Sequence, residues 1–374
     1  MKIQVLQENL IKALNIAGRS ISSKAQLPVL ANFLLATEKN RLKVAATNLE
    51  MGVIIWLGAK IEKDGSITLP SRIFQELVSS LPAEKIDLEV KENTANLNCG
   101  SFKASFNGIS ANEFPLLPES EKKIFSFPSE IFSQVINQVA FASATDEGRP
   151  ILTGVLLKID GKTLSWVATD GYRLSVKKIE TKETLKEENL KSLVIPAKTL
   201  IEVSRIIADQ SKQESVLVEM GLTKDGNQVI FLFPEIELST RLLEGEFPDY
   251  EKIIPKDFST KVTLDKGELI RAVKIASIFA RDSANIVKFK FQEGKLTISA
   301  NSPQVGENQS EVEAKIEGEG GEIAFNFRFL LDFLNSVVSE EIIFEMSGSL
   351  NPGVFRIKDD PDFLHIIMPV RLQS

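Results

Sequence analysis

Residues 27–50, LPVLANFLLATEKNRLKVAATNLE, decide the fold because the same pattern occurs again at residues 149–172, RPILTGVLLKIDGKTLSWVATDGY. The two stretches align without a gap at an offset of 122 residues, which places Leu42 opposite Leu164. Each stretch contains two strand-like apolar runs joined by a polar turn, a pattern typical of a β-hairpin. The repeat therefore indicates that a whole structural unit has been duplicated.

A third copy of the unit is weaker but recognisable. Residues 284–303, ANIVKFKFQEGKLTISANSP, place Leu296 opposite Leu164 at an offset of 132. A downstream segment also recurs, as LPSRIFQELV, IPAKTLIEVS and FNFRFLLDFL, with a basic residue at the same place each time: Arg72, Lys198 and Arg328. A period of about 120 to 130 residues is the length of a domain and not of a stacking repeat. We therefore predict an α+β fold of three repeated domains with antiparallel sheets, at residues 1–122, 123–252 and 253–374.

The composition is that of an ordered and acidic chain. Hydrophobic residues make up 43%, enough for a core in each unit, and the net charge of −7 argues against a protein that grips nucleic acid over its whole surface. The single cysteine, Cys99, excludes an intramolecular disulfide and points to a reducing compartment. The N-terminus lacks the apolar core of a signal peptide, and the apolar runs are too short to span a bilayer. We expect a cytoplasmic protein.

Helix patterns appear at the start of the first and third copies. Around Gly18, the apolar residues that precede it recur at helical spacing, so we predict a helix that ends there. Asp265 is predicted to cap a second helix, with Glu268 three residues further on. Basic residues share one side of several predicted helices: Lys12 with Arg19, Lys198 with Arg205, and Arg271 with Lys274 and Arg281. A solvated face would explain any one set, but the recurrence favours a functional basic surface.

No catalytic pattern is evident in the sequence. The only histidine, His365, lies in the apolar run FLHIIM without a second histidine or a cysteine nearby, so we interpret it as a strand residue. P-loop, GxSxG and GxGxxG motifs do not occur. Asp146, Glu147 and Asp170 would form a carboxylate site only if the fold gathered them, and a surface role is favoured. The sequence therefore predicts no catalytic residues, no metal and no cofactor.

Two short segments have the character of a binding site. TDGYRL, at residues 169–174, is by itself an ordinary turn, because Asp-Gly supplies the positive φ that a turn needs. The other copies have TNLEMG and NSPQVG at this place, so a role specific to the second copy is favoured. The terminal IIMPVRL could be a closing strand, yet its Met, Pro and Val also offer an adaptable apolar surface.

These segments resemble the beta subunit of bacterial DNA polymerase III, together with EFPDY at residues 246–250, LPVL at 27–30 and the threefold repeat. The resemblance covers essentially the whole chain. It implies a non-catalytic DNA sliding clamp in which two three-domain protomers close head to tail around duplex DNA and hold the replicative polymerase there. Twelve helices about 10 Å apart around the hole would leave roughly 28 Å, wide enough for a duplex. An enzyme of unknown chemistry and a scaffold that binds no DNA are the alternatives.

The resemblance also assigns residues to three sites. A pocket between domains two and three would bind peptides of the polymerase, the clamp loader and other polymerases and repair proteins, through Leu152, Thr169, Gly171, Tyr172, Arg173, Leu174, Pro248, Lys252, Ile253, Met368, Pro369, Val370 and Arg371. DNA contacts would come from Lys24, Arg72, Lys198, Arg205, Arg271, Lys274 and Arg281. The dimer interface would join Ile278 and Phe279 to the strand around Phe106 of the other protomer. The chain departs from one common form of the family at Tyr172, at Glu251-Lys252 and at the terminal Gln373-Ser374.

Overall fold

The computed structural model describes residues 1–22, 27–118, 122–146, 148–181, 192–210, 216–292 and 294–371, apart from the side chains of Lys122 and Gln210. Of the residues singled out above, Lys24, Glu147, Gln373 and Ser374 lie outside this part of the chain. Contacts divide the chain into two compact units. The first unit comprises residues 1–132 and 202–242, and the second comprises residues 133–201 and 243–374.

The order of elements confirms the threefold repeat: a strand, a helix, several strands, a second helix and three closing strands. The first copy has β1 (Lys2–Leu6), α1 (Gln7–Ala17), β2 (Asn32–Glu38), β3 (Arg41–Thr47), β4 (Met51–Leu57), β5 (Lys60–Lys63), β6 (Ser66–Pro70), α2 (Ser71–Ser80), β7 (Lys85–Lys91), β8 (Thr94–Cys99) and β9 (Phe102–Asn107). The second has β10 (Lys122–Pro128), α3 (Ser129–Val139), β11 (Gly154–Asp160), β12 (Thr163–Thr169), β13 (Arg173–Glu180), β14 (Ser192–Pro196), α4 (Ala197–Gln210), β15 (Leu217–Leu222), β16 (Gln228–Phe233) and β17 (Ile236–Arg241). The third has β18 (Thr260–Asp265), α5 (Lys266–Ala280), β19 (Ile286–Gln292), β20 (Lys295–Ser302), β21 (Gly306–Gly318), β22 (Gly321–Asn326), α6 (Phe327–Ser336), β23 (Glu341–Met346), β24 (Gly353–Ile357) and β25 (Asp360–Ile367).

The predicted end of α1 and the predicted cap of α5 are confirmed. Helix α1 ends at Ala17, before Gly18, and buries Leu10, Ala13 and Leu14 on its apolar side. Asp265 caps α5 by accepting a hydrogen bond from the Glu268 N–H at 2.8 Å. The recurrent basic residues Arg72, Lys198 and Arg328 are each the second residue of α2, α4 and α6. The segments that recur in sequence are therefore equivalent helices.

Strands of the second copy pair with both neighbouring copies. In the first unit, β4 of the first copy pairs with β17, within an antiparallel sheet of order β10-β15-β16-β17-β4-β3-β2-β6. In the second unit, β13 pairs with β25 of the third copy, within a sheet of order β14-β11-β12-β13-β25-β24-β23-β18-β21-β20-β19-β22. We name these pairings the first junction (β4 with β17) and the second junction (β13 with β25). Each compact unit contains parts of the second copy, so the units do not correspond to the three copies. The domain boundaries at 122 and 252 therefore stay a prediction.

Each unit has its own apolar core. In the first unit, Phe132 of α3 packs edge to face against Phe231 of β16, with 5.6 Å between ring centroids. In the second unit, a chain of rings that includes Phe325, Phe344 and Phe355 fills the space beneath α5 and α6. Burial of this much aromatic surface is the main force that holds each unit together.

A buried ion pair lies in the second junction. The Lys177 ammonium of β13 contacts the Asp360 carboxylate of β25, and their side chains are only 9% and 11% exposed. Gln138 of α3 donates a further hydrogen bond to the same carboxylate at 3.1 Å. In the first junction, Ile55 occupies the place of Lys177 at the 122-residue offset. The two junctions therefore share their strand order but differ in the chemistry of their interior.

Among the open strand edges of the described sheets, those of β9 and of part of β21 are distinguished by their place in the repeat. Strand β9 is the last strand of the five-stranded sheet β5-β1-β7-β8-β9. Residues 306–313 of β21 pair with β20 on one side only, because β18 pairs with residues 314–318. In the order of the repeat, β9 corresponds to β17 and β25, and β21 corresponds to β4 and β13. These two open edges thus occupy the positions of the repeat that are paired in the first and second junctions.

Candidate partner-binding site and basic helix surfaces

The TDGYRL segment is a tight turn between β12 and β13, fixed by two side chains. Asp170 Oδ1 accepts hydrogen bonds from the N–H groups of Tyr172 and Arg173 at 2.8 and 3.0 Å. Thr169 Oγ1 accepts from the Gly171 N–H at 3.0 Å and donates to the Arg173 carbonyl at 2.7 Å. The short polar side chains replace the hydrogen bonds that a sharp turn removes from the strands.

Gly171 has a φ of +90°, and a Cβ at this residue would lie 3.0 Å from the Arg149 guanidinium. Arg149 donates to the Asp170 carbonyl at 3.0 Å. In the first copy, Leu49 adopts a φ of +75° at the equivalent place. Because Leu49 adopts a similar positive φ, the backbone conformation alone does not require glycine at residue 171. Glycine is needed there because a side chain would crowd the Arg149 guanidinium.

Arg173 is buried, and its guanidinium group is hydrogen-bonded to two carboxylates. Its Nε donates to Asp170 at 3.0 Å, and its Nη1 donates to Asp332 of α6 at 2.6 Å. Its guanidinium carbon lies 4.7 Å from the ring centre of Phe329 and 5.5 Å from that of Phe141, which adds cation–π contacts. Arg173 therefore holds the turn against α6 and does not offer a free charge to a ligand.

The structure brings TDGYRL and MPVRL together, although the two segments are distant in sequence. Strand β25 pairs with β13 so that Arg173 lies opposite Ile367. The Met368 N–H then donates to the Tyr172 carbonyl at 2.8 Å. Two residues later, the Val370 N–H donates to the Ala324 carbonyl at 2.8 Å. The C-terminal segment thus runs directly past the turn.

The residues assigned to this pocket fall into two groups. The buried group supports the turn and strands: Leu152, Thr169, Arg173 and Leu174. The other group reaches the surface: Tyr172, which is 64% exposed, and Gly171, Pro248, Lys252, Ile253, Met368 and Arg371, with Pro369 and Val370 half-buried. The ring of Tyr172 stacks on Phe329 at 6.4 Å between centroids. A partner would meet this second group first.

Beneath the turn lies an apolar cluster that contains Leu174 and Tyr250. Burial raises the pKa of the Tyr250 hydroxyl, so Tyr250 stays neutral. Arg149, Phe329 and Asp332 were not predicted from the sequence. Arg149 and Asp332 hold the turn from other elements. Tyr250 was within reach of sequence reasoning, because it belongs to the EFPDY motif.

His365 is a buried strand residue, as the sequence predicts. Its Nδ1 lies 2.7 Å from Ser175 Oγ, and its ring stacks on Phe333 at 5.0 Å between centroids. Burial, and secondarily the positive charge of Arg173, hold its pKa well below the ordinary histidine value. Neither His365 nor Ser175 is accessible to solvent. The pair is therefore a structural hydrogen bond and not a catalytic dyad.

The described residues assigned to DNA contact lie on helix surfaces or at a helix end, and all are exposed. Within the described chain, five of them have no carboxylate within 4 Å: Arg72, Lys198, Arg271, Lys274 and Arg281. Arg205 differs, because it forms an ion pair with Glu202 on the same helix. Arg19 likewise contacts Asp209 at 2.8 Å. The five unpaired cations are the ones that keep their charge available for phosphates.

The residues assigned to the dimer interface differ in exposure. Ile278 at the end of α5 is 56% exposed, whereas Phe279 is partly buried against the core of the second unit. Phe106 is only 8% exposed and packs edge to face on Phe74 at 5.3 Å. On the same strand, Phe102 is 55% exposed. The open backbone edge of β9, more than the Phe106 side chain, is thus what this strand presents.

In the described chain, no three His, Cys, Asp or Glu side chains are placed to hold a metal ion. No helix there is long and apolar enough to cross a membrane.

Three family models match the chain in order. They describe the DNA polymerase III beta subunit: its N-terminal domain at residues 1–118, its central domain at 126–249 and its C-terminal domain at 251–371. The chain belongs to the DNA polymerase III beta subunit family. The three matches follow the three repeats described above, so the family and the α+β fold of three repeated clamp domains are confirmed.

Other members of the beta subunit family match over their full length. The chain is 30% identical to the beta sliding clamp of Synechococcus elongatus and 31% identical to that of a Synechocystis species, over 100% of all chains. The crystal structure of the DNA polymerase sliding clamp of Bacillus subtilis aligns with a TM-score of 0.92 at 29% identity. That of the beta subunit of Thermotoga maritima aligns with a TM-score of 0.89 at 30% identity. Both structural alignments cover 100% of both chains.

Proposed function

We propose that the protein is a DNA sliding clamp: a non-catalytic ring of two protomers that encircles duplex DNA and tethers the replicative polymerase to it in the cytoplasm. Full-length similarity to beta sliding clamps supports this function. The observation that carries it is the pair of open edges on β9 and β21. Since the two junctions within the chain join equivalent strands, a third junction between protomers would join β9 of one to β21 of the other. Three domains per chain then give a six-domain ring, with boundaries at 122 and 252.

The dimer would bury exposed apolar residues together with the open edges. Pairing of the two edges supplies backbone hydrogen bonds and hides strands that would otherwise aggregate. Ile278 adds an exposed apolar side chain, whose burial contributes about 1.5 to 3 kcal/mol. Phe279 and Phe106 would support this contact from within each protomer.

DNA would be held loosely by the exposed cations of the helices: Arg72, Lys198, Arg205, Arg271, Lys274 and Arg281, with Lys24 outside the described residues. Attraction to phosphates does not depend on base sequence, so the ring could slide. The whole chain has a net charge of −7, which would discourage DNA from binding away from the basic helix surfaces.

The surface around Tyr172 and Met368 would receive short peptides from the polymerase, the clamp loader and repair proteins in turn. It combines exposed apolar side chains with a turn that is fixed from several sides, which limits the ordering cost of binding. The full set of residues proposed for this site is the thirteen assigned above, of which the exposed ones make direct contact.

Encirclement is tested by topology. The protein is loaded onto nicked circular DNA by a bacterial clamp loader with ATP, and the circle is then cut at one restriction site. We expect retention on the circle in high salt and release after cutting. Dissociation from uncut circles as fast as from linear DNA would contradict the ring.

The protomer contact is tested by sedimentation at micromolar concentration. Ile278→Asp should give monomers that load poorly, because a carboxylate would be buried at the contact. Ile131→Asp is the matched control, since Ile131 on α3 is 42% exposed and lies outside the proposed interface. A wild-type monomer would refute the dimer, and a dimeric Ile278→Asp variant would refute this assignment of the interface.

A further inference from the structure

The first junction is built like the second, in which the proposed partner site lies. The strand order β6-β2-β3-β4-β17 matches β14-β11-β12-β13-β25. In its turn, Thr47 Oγ1 donates to the Met51 carbonyl at 2.9 Å, and Asn48 Oδ1 accepts from the Met51 N–H at 2.8 Å. The Arg241 N–H donates to the Glu50 carbonyl at 3.0 Å, the same link that joins MPVRL to the TDGYRL turn. The first junction is therefore a structural counterpart of the proposed site.

The two junctions differ in one residue that shapes the surface next to the turn. Gly52 stands where the second junction has Leu174, and both follow the turn directly. A Cβ on Gly52 would lie 2.7 Å from Leu117 Cδ2 and 2.9 Å from Ser239 Oγ. Leu117, which belongs to the segment after β9, thus fills the space that a side chain at residue 52 would occupy. Its neighbour Leu116 is 100% exposed, so this segment leaves an apolar side chain in solvent.

A groove of about 500 Å³ opens on this surface, entirely within the first unit. Its lining combines the half-buried ring of Trp56 with aliphatic and aromatic side chains: Leu34, Ile54, Phe114, Leu116 and Leu117. A volume of this size accommodates two large side chains of a ligand. Trp is enriched among the residues that anchor binding partners, and the apolar side chains around it would exclude water from the contact.

The charged residues that line the groove are two lysines and two glutamates. Lys43 forms an ion pair with Glu38 at 2.9 Å, and this hydrogen bond lowers the pKa of the Glu38 carboxyl. Glu237, which also lines the groove, has a partner of its own. Lys39 is exposed and has no ion-pair partner in the described part of the chain. The groove therefore presents an apolar floor beside a free ammonium group.

We propose that this groove is a second peptide-binding site, for a short linear segment in which an acidic residue precedes two large aliphatic or aromatic residues. The apolar side chains lie on Leu34, Ile54 and Trp56, and the carboxylate pairs with Lys39. The site is separate from the one around Tyr172 and Met368, so a protomer offers two docking points of related construction. Two linked peptides of one partner could then bind with a gain in avidity.

The test uses Trp56 as its own reporter. The chain has two tryptophans, and Trp166 is completely buried, so acrylamide quenches Trp56 selectively. The full-length protein is titrated with a blocked peptide GDLFG, with GKLFG and GDAAG as controls for charge and apolar contact. We expect GDLFG to protect Trp56 saturably and both controls to bind at least about 5-fold more weakly.

Variants locate the binding. Lys39→Glu should weaken GDLFG by about 2- to 5-fold and improve GKLFG, because exposed ion pairs contribute modestly. Lys63→Glu, an equal charge change at an exposed lysine of β5, should leave both unchanged. Met368→Ala alters only the site around Tyr172, so the protection of Trp56 by GDLFG should persist in this variant. The absence of saturable protection up to about 1 mM would overturn the proposal. Equal effects of Lys39→Glu and Lys63→Glu, or loss of Trp56 protection in Met368→Ala, would overturn it as well.

Discussion

Arg173 and Asp332 form an ion pair, with 2.6 Å between Nη1 and Oδ2, that joins β13 of the second copy to α6 of the third. The Arg173 side chain is buried, with 9% of its surface exposed, whereas the Asp332 side chain is 49% exposed. We therefore expect Arg173→Ala to destabilise the fold by about 3 kcal/mol and Asp332→Ala by about 1 kcal/mol. Urea unfolding measures both. Lys252→Ala, which removes an exposed ion pair with Asp249, should unfold like the wild type.

Lys177 and Asp360 provide a sharper case, because both side chains are buried. Removing either partner leaves an uncompensated charge, so Lys177→Met and Asp360→Leu should each cost about 3 to 5 kcal/mol. The double variant should recover most of this loss, since the first junction has Ile55 in place of Lys177. A double-mutant cycle by urea unfolding gives the coupling. Additive losses would mean that the two side chains do not interact.

The pH dependence of stability follows from His365. Its pKa is depressed in the folded state, so below the ordinary value near 6.5 the unfolded chain binds a proton that the folded chain does not. Stability must then fall as the pH falls through that value. Between pH 7.5 and 5.5 the loss from this residue should be about 1.4 kcal/mol. His365→Gln should remove this part of the pH dependence, as measured by urea unfolding at both pH values. An unchanged dependence would assign it to other groups.

DNA binding should depend on the unpaired cations more than on Arg205. Lys198→Ala with Lys274→Ala should lower affinity for linear duplex DNA and reduce the slope of log affinity against log salt by about 1 to 2. Arg205→Ala alone should do less, because Glu202 already neutralises it. Lys60→Ala with Lys63→Ala, on β5, is the matched control. Equal slopes for all variants would show that α4 and α5 do not face DNA.

Met368 and Leu174 separate contact from support in the proposed partner site. Met368→Ala should weaken a short clamp-binding peptide by roughly 5-fold to 150-fold and leave the urea midpoint unchanged, because Met368 is 38% exposed. Leu174→Ala should weaken the peptide too, but with a stability loss of about 2 to 5 kcal/mol, since Leu174 is buried. Fluorescence anisotropy with a labelled peptide measures the affinity. Full affinity in Met368→Ala would refute the site.

Local and repeated features of the fold could be predicted from the sequence. The caps at Gly18 and Asp265 depend on neighbouring residues, and the repeat aligned equivalent hairpins and helices. The ion pair of Glu202 with Arg205 was also within reach, because residues three apart on a helix are neighbours. Arg205 was predicted as a DNA contact without this ion pair.

Contacts between distant segments could not be predicted. The partners of Lys177 and Arg173 belong to β25 and α6, and only the paired strands bring them near. The orientation of Phe106 was equally hidden, since side chains alternate along a strand and a shift of one residue exchanges buried and exposed positions. Nor does the repeat reveal that β15, β16 and β17 join the sheet of the first copy.

The second junction pairs β13 with a strand that leaves the ribosome much later, β25. The edge of β13 is complete once Glu180 has been synthesised, but β25 ends only at Ile367. At 5 to 20 residues per second, this edge waits about 10 to 40 s for its neighbour. During translation the nascent chain therefore carries an open β-edge that only its own C-terminus can cover. Premature termination before β25 should yield products that aggregate or are degraded instead of forming shortened clamps.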